Sequence, residues 1–224
     1  QLGNGQQNSL MVGGNLIARS EAGFGIVIPN GLNAGGNIEL YADDLDDSGT
    51  LASGLLPANY VRFAPWSINQ DLLLDIVDTT NYVTPHLQVG NPAAMTDPTV
   101  TTWRSVTIPV GSSVEKTNFD ASNQSFDIYA GSANIDGQLG AISPLKLSFG
   151  VHATGAINVG NNFDYDDPYT TTIHLADGYG LTLEAGLSGT GDLTVGGNST
   201  ASLMVGTSAG NTGSMTQRGA NVLF

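Results

Sequence analysis

The sequence predicts an all-β protein, arranged as an antiparallel β-sandwich or a jelly-roll-like fold with at most one short helix. Short runs rich in Thr, Val, Ile and Tyr alternate apolar with polar positions, and each run ends in a cluster of Gly, Asn, Asp or Ser. Roughly a dozen such runs occur, enough for a sandwich or a closed barrel in one β domain over residues 1–224. Examples lie at 23–28, 38–41, 105–110, 125–129, 145–151, 170–175, 181–183 and 193–195.

One segment departs from this strand pattern. Ser67 and Gln70 have the spacing of a capping box, in which each side chain satisfies a backbone N–H group at the start of a helix. The apolar residues that share one helical face nearby are Ile68, Leu72, Leu73, Ile76 and Val77. We therefore expect one helix at about 68–78. A buried strand over 72–77 is the alternative.

The composition excludes several classes of function. The 224 residues include 20 Asp+Glu against 6 Lys+Arg, and the formal net charge of −14 makes a nucleic-acid or anionic-membrane partner unfavourable. The absence of cysteine excludes disulfides, thiolate zinc sites, iron–sulfur clusters and thiol nucleophiles. No apolar run reaches the roughly 18 residues that a membrane-spanning helix needs, so we expect no membrane span.

The chain start and the low charge favour a location outside the cell. The first residue is Gln1 rather than Met, as in a secreted protein whose leader has been removed, although an artificial chain start would look the same. A surface of Gly, Ser, Thr and Asn suits a protein that contacts copies of itself, and few Lys or Arg residues leave few tryptic sites. We expect an extracellular or cell-surface protein.

A short repeat of the form apolar-x-Val-Gly recurs along the chain. Copies lie at 10–13, 87–90, 108–111, 157–160, 193–196 and 203–206, and two extend to an identical pentapeptide at 9–13 and 202–206. A terminal strand that pairs with its own sheet can also pair with a neighbour's edge. We therefore predict exchange arms at 1–20 or 202–224, with disordered tails as the alternative. The side chains that would set the register are Leu10, Val12, Leu16, Leu203 and Val205.

The last part of the chain differs from the rest. From residue 181 onward the charged residues are Glu184, Asp192 and Arg218, and strand-like segments at 181–183, 192–195 and 202–205 follow one another about every ten residues. This stretch resembles the strand-and-turn repeats of secreted bacterial β-proteins, such as autotransporter passengers, surface adhesins and self-assembling pilin-like proteins. The resemblance implies an extracellular bacterial β-protein. It does not identify any functional residue in this chain.

Two acidic segments are candidate calcium sites. Asp44, Asp46 and Ser48 place oxygen side chains at positions 1, 3 and 5 of a calcium loop, Gly follows at position 6, and Thr50 offers its carbonyl. The Glu expected at position 12 is missing, because Leu55 stands there. The alternative is an acidic solvated turn.

The second acidic segment contains Asp164 and Asp166. With Asp167 it places three carboxylates within four residues, where they repel one another unless a cation or water separates them. Calcium is therefore our expected cofactor at both segments, with an exposed loop as the alternative here.

The sequence gives little support for catalysis. Residues 206–210 match the G-x-S-x-G nucleophile pattern, but neither Asp nor His follows Ser208, as that fold requires. The histidines His86, His152 and His174 form no H-x-x-x-H or H-E pair that would suit a metal. We expect no enzyme.

Aromatic residues offer a weaker indication of sugar binding. A stacking platform would draw on Trp66, Trp103, Tyr60, Tyr82 and Tyr129, but the β core itself needs about this much aromatic surface. The favoured hypothesis is a secreted structural subunit that assembles with copies of itself into a filament, sheath or surface layer by strand exchange, assisted by calcium. The alternatives are a carbohydrate-binding or adhesive module that binds a surface glycan, a virion structural protein, and a hydrolase on a β scaffold.

Overall fold

The structure is a computed structural model, which describes the backbone of 10–28, 30–46, 50–74, 76–78, 82–116, 124–136, 138–141, 147–154, 157–159, 164–166, 170–175, 180–183, 186–189, 192–197, 202–205, 214–215 and 222–223. Side chains are described at 10–28, 30–44, 50–74, 82–112, 125–136, 151–154 and 157.

Short strands make up nearly all of the regular structure in this part of the chain. In chain order they are β1 (Leu10–Val12), β2 (Leu16–Arg19), β3 (Gly25–Val27), β4 (Leu32–Ala34), β5 (Ile38–Tyr41), β6 (Asp44–Asp46), β7 (Leu51–Ala52), β8 (Tyr60–Ala64), β9 (Asp71–Leu73), β10 (Ile76–Asp78), β11 (Tyr82–Val83), β12 (His86–Val89), β13 (Trp103–Ile108), β14 (Ser113–Lys116), β15 (Gln124–Ile135), β16 (Gln138–Ala141), β17 (Leu147–Ala153), β18 (Ile157–Val159), β19 (Asp164–Asp166), β20 (Thr170–Leu175), β21 (Gly180–Leu183), β22 (Gly186–Gly189), β23 (Asp192–Gly197), β24 (Ser202–Val205), β25 (Ser214–Met215) and β26 (Val222–Leu223).

The strands form parallel sheets in which each strand pairs with strands from the neighbouring turns of the chain. Ile38 pairs with Val61 and Thr171 pairs with Leu193, so a turn takes 22 or 23 residues at these points. The longest path of paired strands runs β2-β5-β8-β12-β15-β17-β20-β23-β26, and shorter paths run β1-β4-β7-β11, β3-β6 and β10-β14-β16-β19-β22-β25. Successive turns of the chain therefore stack as in a β-solenoid.

The core consists of apolar side chains stacked in register between the sheets. Ile38, Val61, Leu87 and Phe126 occupy equivalent positions on four successive strands, and all four are buried. Full burial of such a side chain stabilises the fold by about 1.5–3 kcal/mol. Trp103 on β13 is also fully buried and contacts Phe63, with ring centroids 5.2 Å apart. The stack holds consecutive turns together because each turn buries its neighbour's apolar face.

The predicted all-β class is confirmed, but the predicted antiparallel sandwich or jelly roll is wrong. Every strand pair in the described residues is parallel. Alternation of apolar and polar residues reports which face of a strand is buried and carries no information about the direction of its neighbour. The chain reaches each parallel neighbour by completing a full turn instead of reversing at a hairpin.

The predicted helix at 68–78 is also wrong. The segment forms β9 and β10, and β9 pairs in parallel with Ser105–Thr107 of β13. Ser67 does not cap a helix, because its N–H and hydroxyl donate to the Asp43 carboxylate at 2.8 and 2.6 Å. Asn69 has a left-handed φ of 63°, which interrupts a right-handed helix. The alternative prediction, a strand in this segment, agrees better with the structure.

Helical structure in the described residues is one 3₁₀ turn, Pro92–Met95, capped by the Asn91 side chain, which accepts from the Ala93 N–H at 3.1 Å. This part of the chain has no helix with both the length and the apolar character needed to cross a bilayer.

Candidate functional site

The richest group of polar and aromatic side chains lies on the outward side of β2, β5, β8 and β12. Successive side chains of a strand point to opposite faces, so burial of Ile38 and Leu40 directs Glu39 and Tyr41 outward. We call this surface the outer face. Its members are Arg19, Glu39, Tyr41, Tyr60, Arg62, Trp66 and Gln88.

Glu39 is the centre of the outer face. Its two carboxylate oxygens accept hydrogen bonds from the hydroxyls of Tyr41 and Tyr60, each at 2.6 Å, and one oxygen lies 3.8 Å from an Arg62 nitrogen. Partial burial raises the pKa of Glu39, but the two tyrosine hydrogen bonds and the arginine charges outweigh it and lower the pKa below its usual value. Glu39 is therefore a carboxylate that fixes both tyrosine rings.

The charge of Arg62 is already engaged within the outer face. Its Nε and Nη2 donate to the Gln88 side-chain oxygen at 2.9 and 2.8 Å, and Glu39 lies within ion-pair distance. The guanidinium also lies over the Tyr60 ring, 4.5 Å from its centroid. One face of the Tyr60 ring is thus covered, which weakens the sugar-stacking role predicted for it.

Arg19 interacts with Glu39 only at longer range, where its charge helps to lower the pKa of that carboxyl. Its guanidinium lies within cation–π distance of two rings, 5.3 Å from the centroid of Tyr41 and 6.0 Å from that of Trp66. Within the part of the chain that the structure describes, no carboxylate lies close enough to form an ion pair with it. The Arg19 side chain is exposed, and Trp66 is 41% exposed. This pairing of a cation with aromatic rings faces solvent.

Asp43 fixes the loop that carries Trp66. Its carboxylate accepts hydrogen bonds from the N–H groups of Trp66 at 3.1 Å, Ser67 at 2.8 Å and Gly23 at 2.7 Å. Slight burial raises the pKa of Asp43, but the bonds from Ser67, Gly23 and Trp66 outweigh it and lower the pKa. The loops after β2 and β8 are therefore joined through one carboxylate beside the outer face.

A second polar network continues along the sheet but lacks the order of a hydrolytic triad. Ser125 Oγ lies 2.6 Å from Asp127 Oδ2 and 2.8 Å from His86 Nδ1, while His86 Nε2 lies 2.7 Å from the carbonyl oxygen of Pro57. In a serine hydrolase the carboxylate orients the imidazole, which in turn contacts the serine. Here the carboxylate contacts the serine directly, so the geometry favours a structural network.

His152 of the next strand, β17, extends this network and lies beside Tyr129 of β15. Their rings stack with centroids 4.7 Å apart, and His152 Nε2 lies 3.4 Å from Asp127 Oδ1. Burial, followed by the charge of Asp127, raises the pKa of Tyr129 to about 12. The Tyr129 phenol is therefore neutral at ordinary pH.

The first turn that the structure describes is paired on one side only among the described residues. In the described residues β1, β2 and β3 pair only with the following turn, through β4, β5 and β6. Several apolar side chains of this turn are exposed, including Met11 at 79%, Ile17 at 52% and Phe24 at 64%. We call the unpaired side of β1, β2 and β3 the open edge.

The predicted assembly residues lie at the two ends of the described strands. Leu10 and Val12 are in β1 and Leu16 is in β2, so all three belong to the open edge. Leu203 and Val205 are in β24, which pairs only with β21 among the described residues. The predicted arms at 1–20 and 202–224 lie partly outside the described residues.

The predicted calcium ligands at 44–50 lie partly outside the described residues. Asp44 and Asp46 lie in strand β6 rather than in a loop, and Ser48 lies outside the described residues. The Thr50 carbonyl accepts a hydrogen bond of 2.7 Å from the Leu32 N–H.

The second predicted calcium segment is described only by its backbone. Asp164 and Asp166 lie in β19, whose side chains are not described. No group of three or more His, Cys, Asp or Glu side chains with metal-binding spacing occurs within the described part of the chain. Both calcium assignments stay predictions.

Sequence reasoning found part of the outer face and missed its charged members. Trp66 and Tyr60 were candidates for a sugar platform, with core packing favoured for all the aromatic residues. Trp103 is fully buried in the core and Tyr82 packs against it, whereas Trp66 and Tyr60 lie on the outer face. Arg19, Glu39 and Arg62 were not predicted. The available signal was the Glu-x-Tyr pattern at 39–41 and the Tyr-x-Arg pattern at 60–62, one turn of the chain apart.

Comparisons with known protein families, with curated proteins and with solved structures find no match to this chain.

Proposed function

We propose that the protein is an extracellular structural subunit that associates with copies of itself end to end through the open edge. The observation that supports this most strongly is that β1, β2 and β3 pair only with the following turn among the described residues, so each has one edge without a described partner at one level of the solenoid. The first described turn also exposes apolar side chains, among them Met11 and Phe24.

The hydrogen bonds of the first turn show which backbone groups are available for pairing. Leu16 N–H donates to the Asn37 carbonyl and Ser20 N–H to the Tyr41 carbonyl, so β2 uses alternate residues to bind β5. The backbone groups of Ile17 and Arg19, which alternate with these residues, therefore point to the open edge. An incoming parallel strand would satisfy them as β5 satisfies their neighbours.

The other end of the described strands offers a complementary surface. β24, β25 and β26 each pair with only one neighbour in the described residues. Joining this end of one copy to the open edge of the next would continue the parallel stack. Such a head-to-tail contact does not close on itself, so it would build a filament. Strand exchange by the arms predicted at 1–20 or 202–224 is the variant of this contact that the repeated pentapeptide favours.

Proline at position 17 tests this proposal. Ile17→Pro removes an N–H that points to the open edge, so β2 keeps its bonds to β5 while an incoming strand loses a donor. The matched control is Val110→Pro. Val110 is 62% exposed and precedes Gly111 (φ +84°) in a turn closed by the Ser112 N–H and the Pro109 carbonyl, a position that suits proline.

The readouts are negative-stain microscopy and light scattering of the full chain over a range of concentrations. We expect filaments or concentration-dependent oligomers for the unmodified chain and for Val110→Pro, and their loss in Ile17→Pro with an unchanged circular dichroism spectrum. Monomers at all concentrations in the unmodified chain, or assembly that persists in Ile17→Pro, would contradict the proposal.

We also propose calcium as an assisting cofactor at Asp44 and Asp46, on the strength of their spacing. The same microscopy in calcium and in EDTA tests this, with Asp44→Asn as the variant. Assemblies that persist unchanged in EDTA would support the structural role and contradict the role of calcium.

A further inference from the structure

We propose that Arg19, together with Tyr41 and Trp66, binds the carboxylate of an acidic sugar, such as a uronic acid unit of an extracellular polysaccharide. We call these three residues the Arg19 site. The juxtaposition that supports it is an exposed guanidinium flanked by two aromatic rings at 5.3 and 6.0 Å.

The carboxylate preference follows from a comparison of the arginines whose side chains are described. Arg62 is held by Gln88 and Glu39, and Arg104 forms a two-point ion pair with Asp71. Arg19 alone among them has no carboxylate within ion-pair distance in the described residues. A guanidinium presents planar paired donors that match the two oxygens of a carboxylate.

The aromatic residues favour a sugar as the carrier of that carboxylate. Trp66 is 41% exposed although Arg19 lies over its ring 6.0 Å from the centroid, so a pyranose can pack against the exposed part of the ring while its carboxylate reaches Arg19. A densely charged polyanion such as nucleic acid fits poorly, because the chain carries a net charge of −14. A single carboxylate beside a local cation avoids most of that repulsion.

The Arg19 site is held in place by neighbouring carboxylates. Glu39 accepts the Tyr41 hydroxyl at 2.6 Å, and Asp43 accepts the Trp66 N–H at 3.1 Å. Side chains held by such supporting bonds lose less conformational entropy when a ligand binds. The Tyr41 ring and the backbone that carries Trp66 are therefore positioned before a ligand arrives.

Binding is tested with the full chain and two matched probes, a galacturonic acid trisaccharide and the uncharged galactose trisaccharide of the same linkage. Trp66 fluorescence reports binding, since Trp103 is fully buried, and calorimetry gives the dissociation constant. All measurements are made in EDTA so that calcium cannot bridge carboxylates. The variant is Arg19→Gln. The charge-matched control is Arg104→Gln, which removes the same charge from β13.

We expect the acidic trisaccharide to bind at least tenfold more tightly than the neutral one, and Arg19→Gln to abolish that difference, because charge-assisted paired hydrogen bonds are lost. Arg104→Gln should bind as the unmodified chain does. Equal binding of the two sugars, equal binding by Arg19→Gln, or no binding of either sugar would overturn the proposal. Filament formation is scored separately, so failure here leaves the structural role to its own test.

Discussion

Replacing Gly90 by alanine should destabilise the fold strongly. Gly90 follows β12 with a φ of +94°, and its N–H donates to the Phe63 carbonyl at 2.7 Å. A Cβ atom built there would overlap the carbonyl oxygen of Tyr129 and lie 3.0 Å from Thr102 Oγ1. The obstacle is backbone on the adjacent strand β15, so the methyl group cannot be accommodated by a rotamer change.

The expected magnitude can be worked from these contacts. The left-handed backbone conformation costs an alanine about 1–2 kcal/mol. Relieving the overlap must also shift the Tyr129 carbonyl, which accepts a hydrogen bond of 2.8 Å from the Thr102 hydroxyl, and losing that bond costs about 1 kcal/mol. Together these terms give about 2–3 kcal/mol before any loosening of the β12–β15 ladder, a large part of a typical stability of about 5–15 kcal/mol.

Gly111 provides the matched control. Its φ is +84°, but nothing lies within 4 Å of a Cβ atom built on it. Gly111→Ala should therefore cost only the conformational term of about 1–2 kcal/mol. Urea unfolding followed by circular dichroism measures both variants. Equal free energies of unfolding for Gly90→Ala and Gly111→Ala would refute the argument that the turn after β12 is closed against the neighbouring strand.

Three further predictions concern titration and loop order. Because the pKa of Tyr129 is raised to about 12 from 10.0, the folded state retains a proton that the unfolded state loses, so stability should fall between about pH 10 and 12. Urea unfolding at each pH should show that Tyr129→Phe reduces this loss of unfolding free energy by on the order of 1–2 kcal/mol, after allowance for the partial exposure of Tyr129. Asp43→Asn should increase Trp66 quenching by iodide, since the loop loses charge-assisted bonds. Hydrogen bonds from Arg104 hold the pKa of Asp71 at about 2, so NMR titration should show this pKa rising toward 3.8 in Arg104→Gln. The ion pair between Arg104 and Asp71 stabilises the fold above about pH 4, and this contribution is lost as the pH falls toward 2. Because both side chains are exposed, the change in stability should be small.

Strand structure was predictable from the sequence because alternation is a local property. The run at 38–41 alternates, and its strand buries Ile38 and Leu40 while Glu39 and Tyr41 face outward. The direction of the neighbouring strand is a property of the connection, and connections rich in Gly, Asn and Ser look alike in hairpins and in solenoid turns. The distinguishing signal was the spacing of equivalent apolar positions by 22 or 23 residues, as between Ile38 and Val61.

The helix prediction failed for a different physical reason. The apolar spacing at 68–78 satisfies a helical period, but the hydrogen-bond donors of Ser67 are satisfied by Asp43, from the preceding turn of the chain. The Gln70 carbonyl likewise accepts the Arg104 N–H at 2.7 Å. These long-range bonds replace the local ones that a capping box would supply, and tertiary bonding overrides the weak preference of a short segment for helix.

The outer face shows why a site on a solenoid does not appear as a contiguous sequence motif. Glu39 and Arg62 are 23 positions apart in the sequence yet pair directly in the ladder, and Arg62 pairs with Gln88 on the next strand. A ligand running along the stack would therefore meet one residue from each turn of the chain, and no contiguous motif would record the site. The two proposed roles use separate parts of this geometry. Both roles involve β2, because association uses its backbone edge at Ile17, while sugar recognition uses the Arg19 side chain, which points away from the core.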